Sequence, residues 1–229
     1  MSEPDRLPQP LIVALAALTM VSGTVDAVSY LGLGRVFTAN MTGNVLLVGF
    51  GIAGAPGFSI LASACALAVF LVGAVVGGRL ALSIRDHRSL LLTAVVLEAG
   101  FTAVAAVIAG SVTLLDAGWP RFTVIALLSF PMGIRNSVVK CLGVPSMTTT
   151  VLTTTLTGLA SDSWLAGGKD PHARNGLISV ASMFAGGLVG AALQVHLHPG
   201  WALGLATVVL VVTAGYFAFE APVELGAAQ

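Results

Sequence analysis

Apolar residues fall into eight blocks along this chain, at roughly 11–34, 38–54, 59–80, 90–110, 121–143, 147–166, 175–195 and 201–219. Clusters of glycine, proline and charge separate them, as at Ala55-Pro56-Gly57, Arg85-Asp86-His87-Arg88 and Gly167–Arg174. Most blocks approach or exceed the roughly 20 residues that a helix needs to cross a bilayer core. The pattern predicts an all-α, polytopic membrane helix bundle forming a single membrane domain over 1–229. The second and sixth blocks are different. Each is rich in threonine or asparagine, and each follows a Leu-Gly break.

The two breaks resemble one another. The first stretch reads GTVDAVSYLGLGRVFTANMTGNVLLVG (Gly23–Gly49), and the second MGIRNSVVKCLGVPSMTTTVLTTTLTGLASD (Met132–Asp162). A shift of 111 lays Leu31-Gly32 on Leu142-Gly143, Thr38 on Thr149 and Thr42 on Thr153. A shift of 110 just upstream lays Gly23 on Gly133 and Asp26 on Asn136, and a shift of 113 lays Gly73 and Gly77 on Gly186 and Gly190. Shared order with drifting offset is what duplication followed by loop-length change leaves behind. The expected organisation is repeat one at 11–83, a linking helix at 90–110, repeat two at 121–197 and a final helix at 201–219.

Basic residues choose between two topologies. If all eight blocks span, the repeats are parallel. Arg35, Arg79, Arg85, Arg88, Arg135 and Lys140 then share one side, with Arg6, Arg121, Lys169 and Arg174 on the other. If the second and sixth blocks are broken and re-enter by the same face, six full spans remain and the repeats are inverted. Only Arg35 and Arg121 then lie outside, and the positive-inside rule prefers this arrangement, with cytoplasmic termini.

Composition removes whole classes of function. Hydrophobic residues make up 56% of the chain and charged residues 9%, with zero formal net charge; mean hydropathy is +0.97. Neither a soluble domain nor a nucleic-acid footprint fits. Cys65 and Cys141 form no CxxC or disulfide framework. The first block reads as a retained helix rather than a cleaved signal peptide. No HExxH, P-loop, dinucleotide fingerprint or Ser/His/Asp order is present, so the chain is expected not to be an enzyme and to need no cofactor or metal. His196 and His198 are two imidazoles without a third ligand.

Polar residues at membrane depth are the candidate chemistry. Asp26 lies within the first block, where a carboxylate costs roughly 2.5–3.5 kcal/mol to insert. It could bind a cation, carry a proton, pair with Arg135 or Lys140, or simply anchor the break near Gly32 and Gly34. Thr38 or Asn40 is a plausible N-cap for the second block, aiming free N–H groups at a site. Thr42 and Asn44 follow in the same segment. In the threonine run from Thr148 to Thr157, most hydroxyls can bond their own backbone; Thr149 and Thr153 stand out by matching Thr38 and Thr42. Arg135 and Lys140 read first as markers of the cytoplasmic end of the fifth helix. Glu98 lies mid-run in the fourth block and ranks second to Asp26 among buried carboxylates. The glycine-spaced third and seventh helices suit close packing within one chain or between the subunits of a homo-oligomer.

Asp26-Ala-Val-Ser-Tyr30-Leu-Gly-Leu-Gly34 and Val36-Phe-Thr-Ala-Asn40-Met-Thr-Gly-Asn44 resemble the signature of the YoaK-like family. Met132-Gly133, Asn136 and Thr148–Thr153 resemble its second motif. Arg135 stands where the resemblance leads one to expect glutamine, and Thr154 where it leads one to expect glycine. The resemblance covers nearly the whole chain and implies a small bacterial inner-membrane protein in a family classed by a domain of unknown function.

The resulting expectation is a transporter or channel in the lipid bilayer for a small polar solute or ion. Its midplane site would lie between the repeats, lined by Asp26, Asn40, Thr42, Asn44, Arg135, Asn136, Thr149 and Thr153. The alternative is a non-transporting scaffold or sensor whose polar motifs are structural.

Overall fold

The computed structural model describes residues 9–112, 118–142, 152–161 and 173–219, and these residues form helices, without strands. In chain order the helices are α1 (Gln9–Gly32), α2 (Met41–Ile52), α3 (Ile60–Ser83), α4 (His87–Ser111), α5 (Gly118–Cys141), α6 (Leu152–Ser161), α7 (Ala173–His196) and α8 (Pro199–Phe219). Six of them, all but α2 and α6, are long and apolar enough to cross a membrane. α2 has 12 residues and α6 has 10. At a rise of 1.5 Å per residue they reach about 18 and 15 Å, roughly half the bilayer core.

The chain leaves α1 through two successive residues of positive φ, Gly34 (+86°) and Arg35 (+59°). The Arg35 N–H turns back to the Tyr30 carbonyl at 3.1 Å, closing the helix end. Glycine adopts this backbone freely, whereas for arginine it costs about 1–2 kcal/mol. The loop then dips inward, and its Thr38 and Ala39 N–H groups meet the carboxylate of Asp26, about 9 Å below the end of α1. α2 carries the chain back out. The Arg35 guanidinium lies over the Phe58 ring, 5.4 Å from its centroid, just before α3 starts. Entry and exit therefore share one end of the bundle, and α2 is re-entrant.

Helix crossings rest on glycine. Gly23 of α1 faces the Met183 carbonyl and the Gly187 N–H of α7, while Gly133 of α5 faces the Phe70 carbonyl and the Ala74 N–H of α3. An added Cβ at Gly190 would lie 2.7 Å from the Thr24 oxygen, and one at Gly77 would lie 2.6 Å from the Ile134 oxygen. Backbones this close exclude any side chain, and the gain is van der Waals contact that lipid cannot match. The α1/α7 crossing also carries a hydrogen bond from Thr24 Oγ1 to the Gly186 carbonyl, at 3.1 Å. Both pairs, α1/α7 and α3/α5, run parallel. α4 packs antiparallel to α8, and α1 lies at the centre, buried along much of its length.

These directions sort the charges. Arg79, Arg85, Arg88, Lys140 and Arg174 lie towards the end where α1 begins. There Arg88 caps α8 by donating to the Phe217 carbonyl at 3.1 and 2.8 Å and to Ala218 at 3.1 Å. Arg35 and Arg121 lie at the opposite end, where the Arg121 guanidinium lies against Gly34. Outward faces carry apolar side chains such as Val72, Val75, Phe184, Leu188, Val208 and Val212.

Candidate functional site

Three charged side chains are buried among the described residues: Asp26 on α1, Glu98 on α4 and Arg135 on α5, with relative exposures of 5%, 0% and 3%. Each is placed by its helix. On α5, Gly133 lets the helix approach α3, and two residues later Arg135 projects toward α1 and α4. Its Nη1 donates to Glu98 Oε1 at 2.8 Å and to the Leu18 carbonyl at 3.1 Å. Its Nη2 donates to Ser22 Oγ and reaches Met132 Sδ at 3.1 Å. One guanidinium thus ties three helices together. Removing water from such a pair is expensive, and the fixed fork of arginine offsets part of that cost by spending several donors at once.

The pair is not saturated. Glu98 Oε2 is buried without a hydrogen-bond partner among the described residues, as are Thr102 Oγ1 one turn further along α4 and Ser129 Oγ on α5. Asp26 Oδ2 is in the same condition. Unsatisfied polar atoms at this depth are costly and call for a functional or ligand explanation.

Asp26 faces its own loop. Its Oδ1 accepts the Thr38 N–H at 3.0 Å and the Ala39 N–H at 2.7 Å. Asn44, at the start of α2, brackets the Phe37 peptide: its Oδ1 accepts the Phe37 N–H at 2.9 Å and its Nδ2 donates to the Phe37 carbonyl at 2.6 Å. Tyr30 stacks on Phe37 with ring centroids 4.9 Å apart. Non-helical backbone within a membrane needs such partners for every N–H and C=O.

The residues singled out in the sequence therefore gather in separate places. Asp26 and Asn44 are buried and hold the loop. Asn40 occupies the N-cap position of α2 but makes no side-chain cap bond, and both it and Thr42 are exposed. Thr38 is buried, its hydroxyl 3.4 Å from Ser29 Oγ. Asn136 is half-buried beside Arg135 on α5. Thr153 is exposed on α6, which packs against α7, and Thr149 lies outside the described residues. Two expectations for Arg135 need correction. It is no marker of a helix end, a role left to exposed Lys140, and its carboxylate partner is Glu98 rather than Asp26. A guanidinium can reach inward from near a helix end when a carboxylate on the facing helix receives it. Glu98 was visible as a charge within an apolar run, but the part played by Ser22 carried no sequence signal. His198 Nδ1 accepts the Gly200 N–H at 3.4 Å, which gives that imidazole a local structural contact at the α7–α8 turn.

All of this geometry lies within residues 14–216, the region matched by the family model described as "Protein of unknown function (DUF1275)". The chain belongs to the DUF1275 family. A relative of this DUF1275 chain is the UPF0700 transmembrane protein YoaK of Bacillus subtilis (strain 168), 33% identical over 148 residues. That match spans 65% of the chain and 65% of the relative's length. No solved structure matches. With its family and its six apolar helices, this DUF1275 chain is an integral membrane protein.

Proposed function

We propose that this protein is a non-enzymatic transporter or channel that moves a small polar solute or an ion across the bacterial cytoplasmic membrane. The observation that carries the reading is the buried Arg135–Glu98 pair, held between α1, α4 and α5 with one carboxylate oxygen unpartnered. Ionisable groups inside a membrane protein are costly and mark substrate or ion pathways by default. The helix crossings add support. First and third helices of each half exchange partners, and the contacts of Gly23, Gly186 and Gly190 correspond to those of Gly133, Gly73 and Gly77 at offsets of 110 and 113. We read this as an inverted repeat, whose halves rock against one another around a central site. The end carrying Arg79, Arg85, Arg88, Lys140 and Arg174 is assigned to the cytoplasm, leaving Arg35 and Arg121 outside.

A second reading, a non-transporting scaffold or sensor, draws on a different observation. Asp26 and Asn44 direct their hydrogen bonds to the adjoining loop, as structural anchors do. Flux of a solute and ion panel into proteoliposomes separates the two. Transport predicts uptake of at least one solute that is lost in Glu98→Gln while the variant remains folded. No uptake of any solute, with loss of stability as the sole effect of Asp26→Asn, favours the scaffold.

A further inference from the structure

The buried charges do not balance. Asp26 and Glu98 supply two carboxylates and Arg135 one guanidinium, so the centre carries a net negative charge when all three are ionised. Asp26 Oδ1 is engaged by two backbone N–H groups, whereas Glu98 has a single bond, from Arg135 to Oε1, and its Oε2 faces no donor. The other surroundings offer no balancing cation among the described residues. Among titratable groups, α8 carries Tyr216, and α3 carries half-buried Cys65 and exposed Arg79; besides Arg135, α5 carries Arg121 near its start and exposed Lys140 and Cys141 at its end, and His87 and Arg88 lie at the far start of α4. A centre with one carboxylate in excess and an orphaned carboxylate oxygen is brought to neutrality by one bound proton.

We infer that the centre binds a proton at Glu98 Oε2, making this residue the carrier of the coupling ion. The proton arrives from hydronium at one membrane face and forms an O–H bond on Oε2, leaving water behind. Neutral Glu98 then gains a donor and holds Arg135 by a weaker, ion–dipole bond. Arg135 keeps its bonds to the Leu18 carbonyl and Ser22 Oγ of α1. That shift favours α5 moving with α1 rather than with α4. Release to water at the opposite face restores the ion pair. As a coupling mechanism this rests on the transport reading; as a binding event it can be measured without any solute.

Infrared difference spectroscopy on the full chain in lipid nanodiscs, taken between mildly alkaline and mildly acidic pH, reads the protonated carboxylic acid directly. The expected result is a buried carboxylic C=O band that is lost in Glu98→Gln and kept in Asp26→Asn. Thr102→Val, which leaves both carboxylates in place, should move its frequency or midpoint. A band lost in Asp26→Asn but kept in Glu98→Gln would overturn the assignment, as would no titrating band in the wild type. A Glu98 band without flux of any solute would uphold the proton site and defeat the transport reading instead.

Discussion

The α1/α7 and α3/α5 crossings are near copies, but the polar side chains beside them are not. At each crossing a glycine, Gly23 of α1 or Gly133 of α5, meets the backbone of the facing helix, α7 or α3, at corresponding positions. Three residues beyond Gly23 stands Asp26, which turns to its own loop; two residues beyond Gly133 stands Arg135, which crosses to Glu98. Close packing depends on small residues and tolerates little change, whereas a polar group can be satisfied by any partner within reach. The two crossings share their glycine contacts while the polar groups beside them differ, one holding a loop and the other the centre.

The sharpest way to break this contrast is to remove half of the buried pair. Arg135→Ala leaves Glu98 charged and buried, and a loss of about 3–5 kcal/mol is expected in detergent unfolding. The double substitution Glu98→Met with Arg135→Met should recover much of that loss and, on the proposed transport reading, abolish solute uptake. A double variant no more stable than the single would show that Arg135 acts chiefly through Leu18 and Ser22.

Gly133→Ala and Gly186→Ala probe the frame. Each places a Cβ against a carbonyl of the facing helix, so both should lose about 1–3 kcal/mol through overpacking. Gly49→Ala, whose added Cβ meets nothing within 4 Å, should be close to neutral. Unequal losses at Gly133 and Gly186, measured by thermal unfolding, would mean that the crossings share geometry without sharing importance.

Within the loop, Asn44→Ala strands both polar groups of Phe37 and should cost about 1–3 kcal/mol. The neighbouring Thr42→Ala should stay within about 0.5 kcal/mol, since Thr42 is exposed. A Thr42→Ala variant that keeps its melting temperature and loses transport would return that residue to the solute path.

The smallest effect concerns pH. Asp86 caps α4, and the Ser89 hydroxyl and N–H hold its carboxyl below the ordinary carboxylate range. A lowered folded-state value means that its contribution is present above the ordinary carboxylate value and is lost as pH falls through the lowered one. Melting curves should show Asp86→Asn slightly less stable than the parent at neutral pH and converging with it in acid, which flattens the acid side of the stability profile.

Much of this arrangement was legible in the chain itself. Six long apolar blocks became six long helices because length and hydropathy alone decide whether a helix can span. The break after α1 was signalled by Leu31-Gly32 and Gly34, and close packing of α3 by the spacing of Gly73 and Gly77, whose partner α5 the sequence did not name. What could not be read was where each polar group points. Asn40, Thr42 and Asn44 look alike in sequence, yet only Asn44 turns inward, because one helical face of α2 meets the loop. Arg135 lies five residues before Lys140 and reads as part of the same basic end. Only the position of Glu98 on the facing α4, a long-range relation, brings it into the core.

The most direct test of the central claim asks whether the Arg135–Glu98 centre is reached by water from both faces in turn. Ser22, buried and hydrogen-bonded to Arg135, is replaced by cysteine in a chain whose Cys65 and Cys141 are serine. It is then probed in oriented vesicles with a small membrane-impermeant thiol reagent from each side. Labelling from either face, with the favoured face reversing when the proton gradient is reversed, is the predicted result. A cysteine unreactive from both faces under every gradient would contradict it.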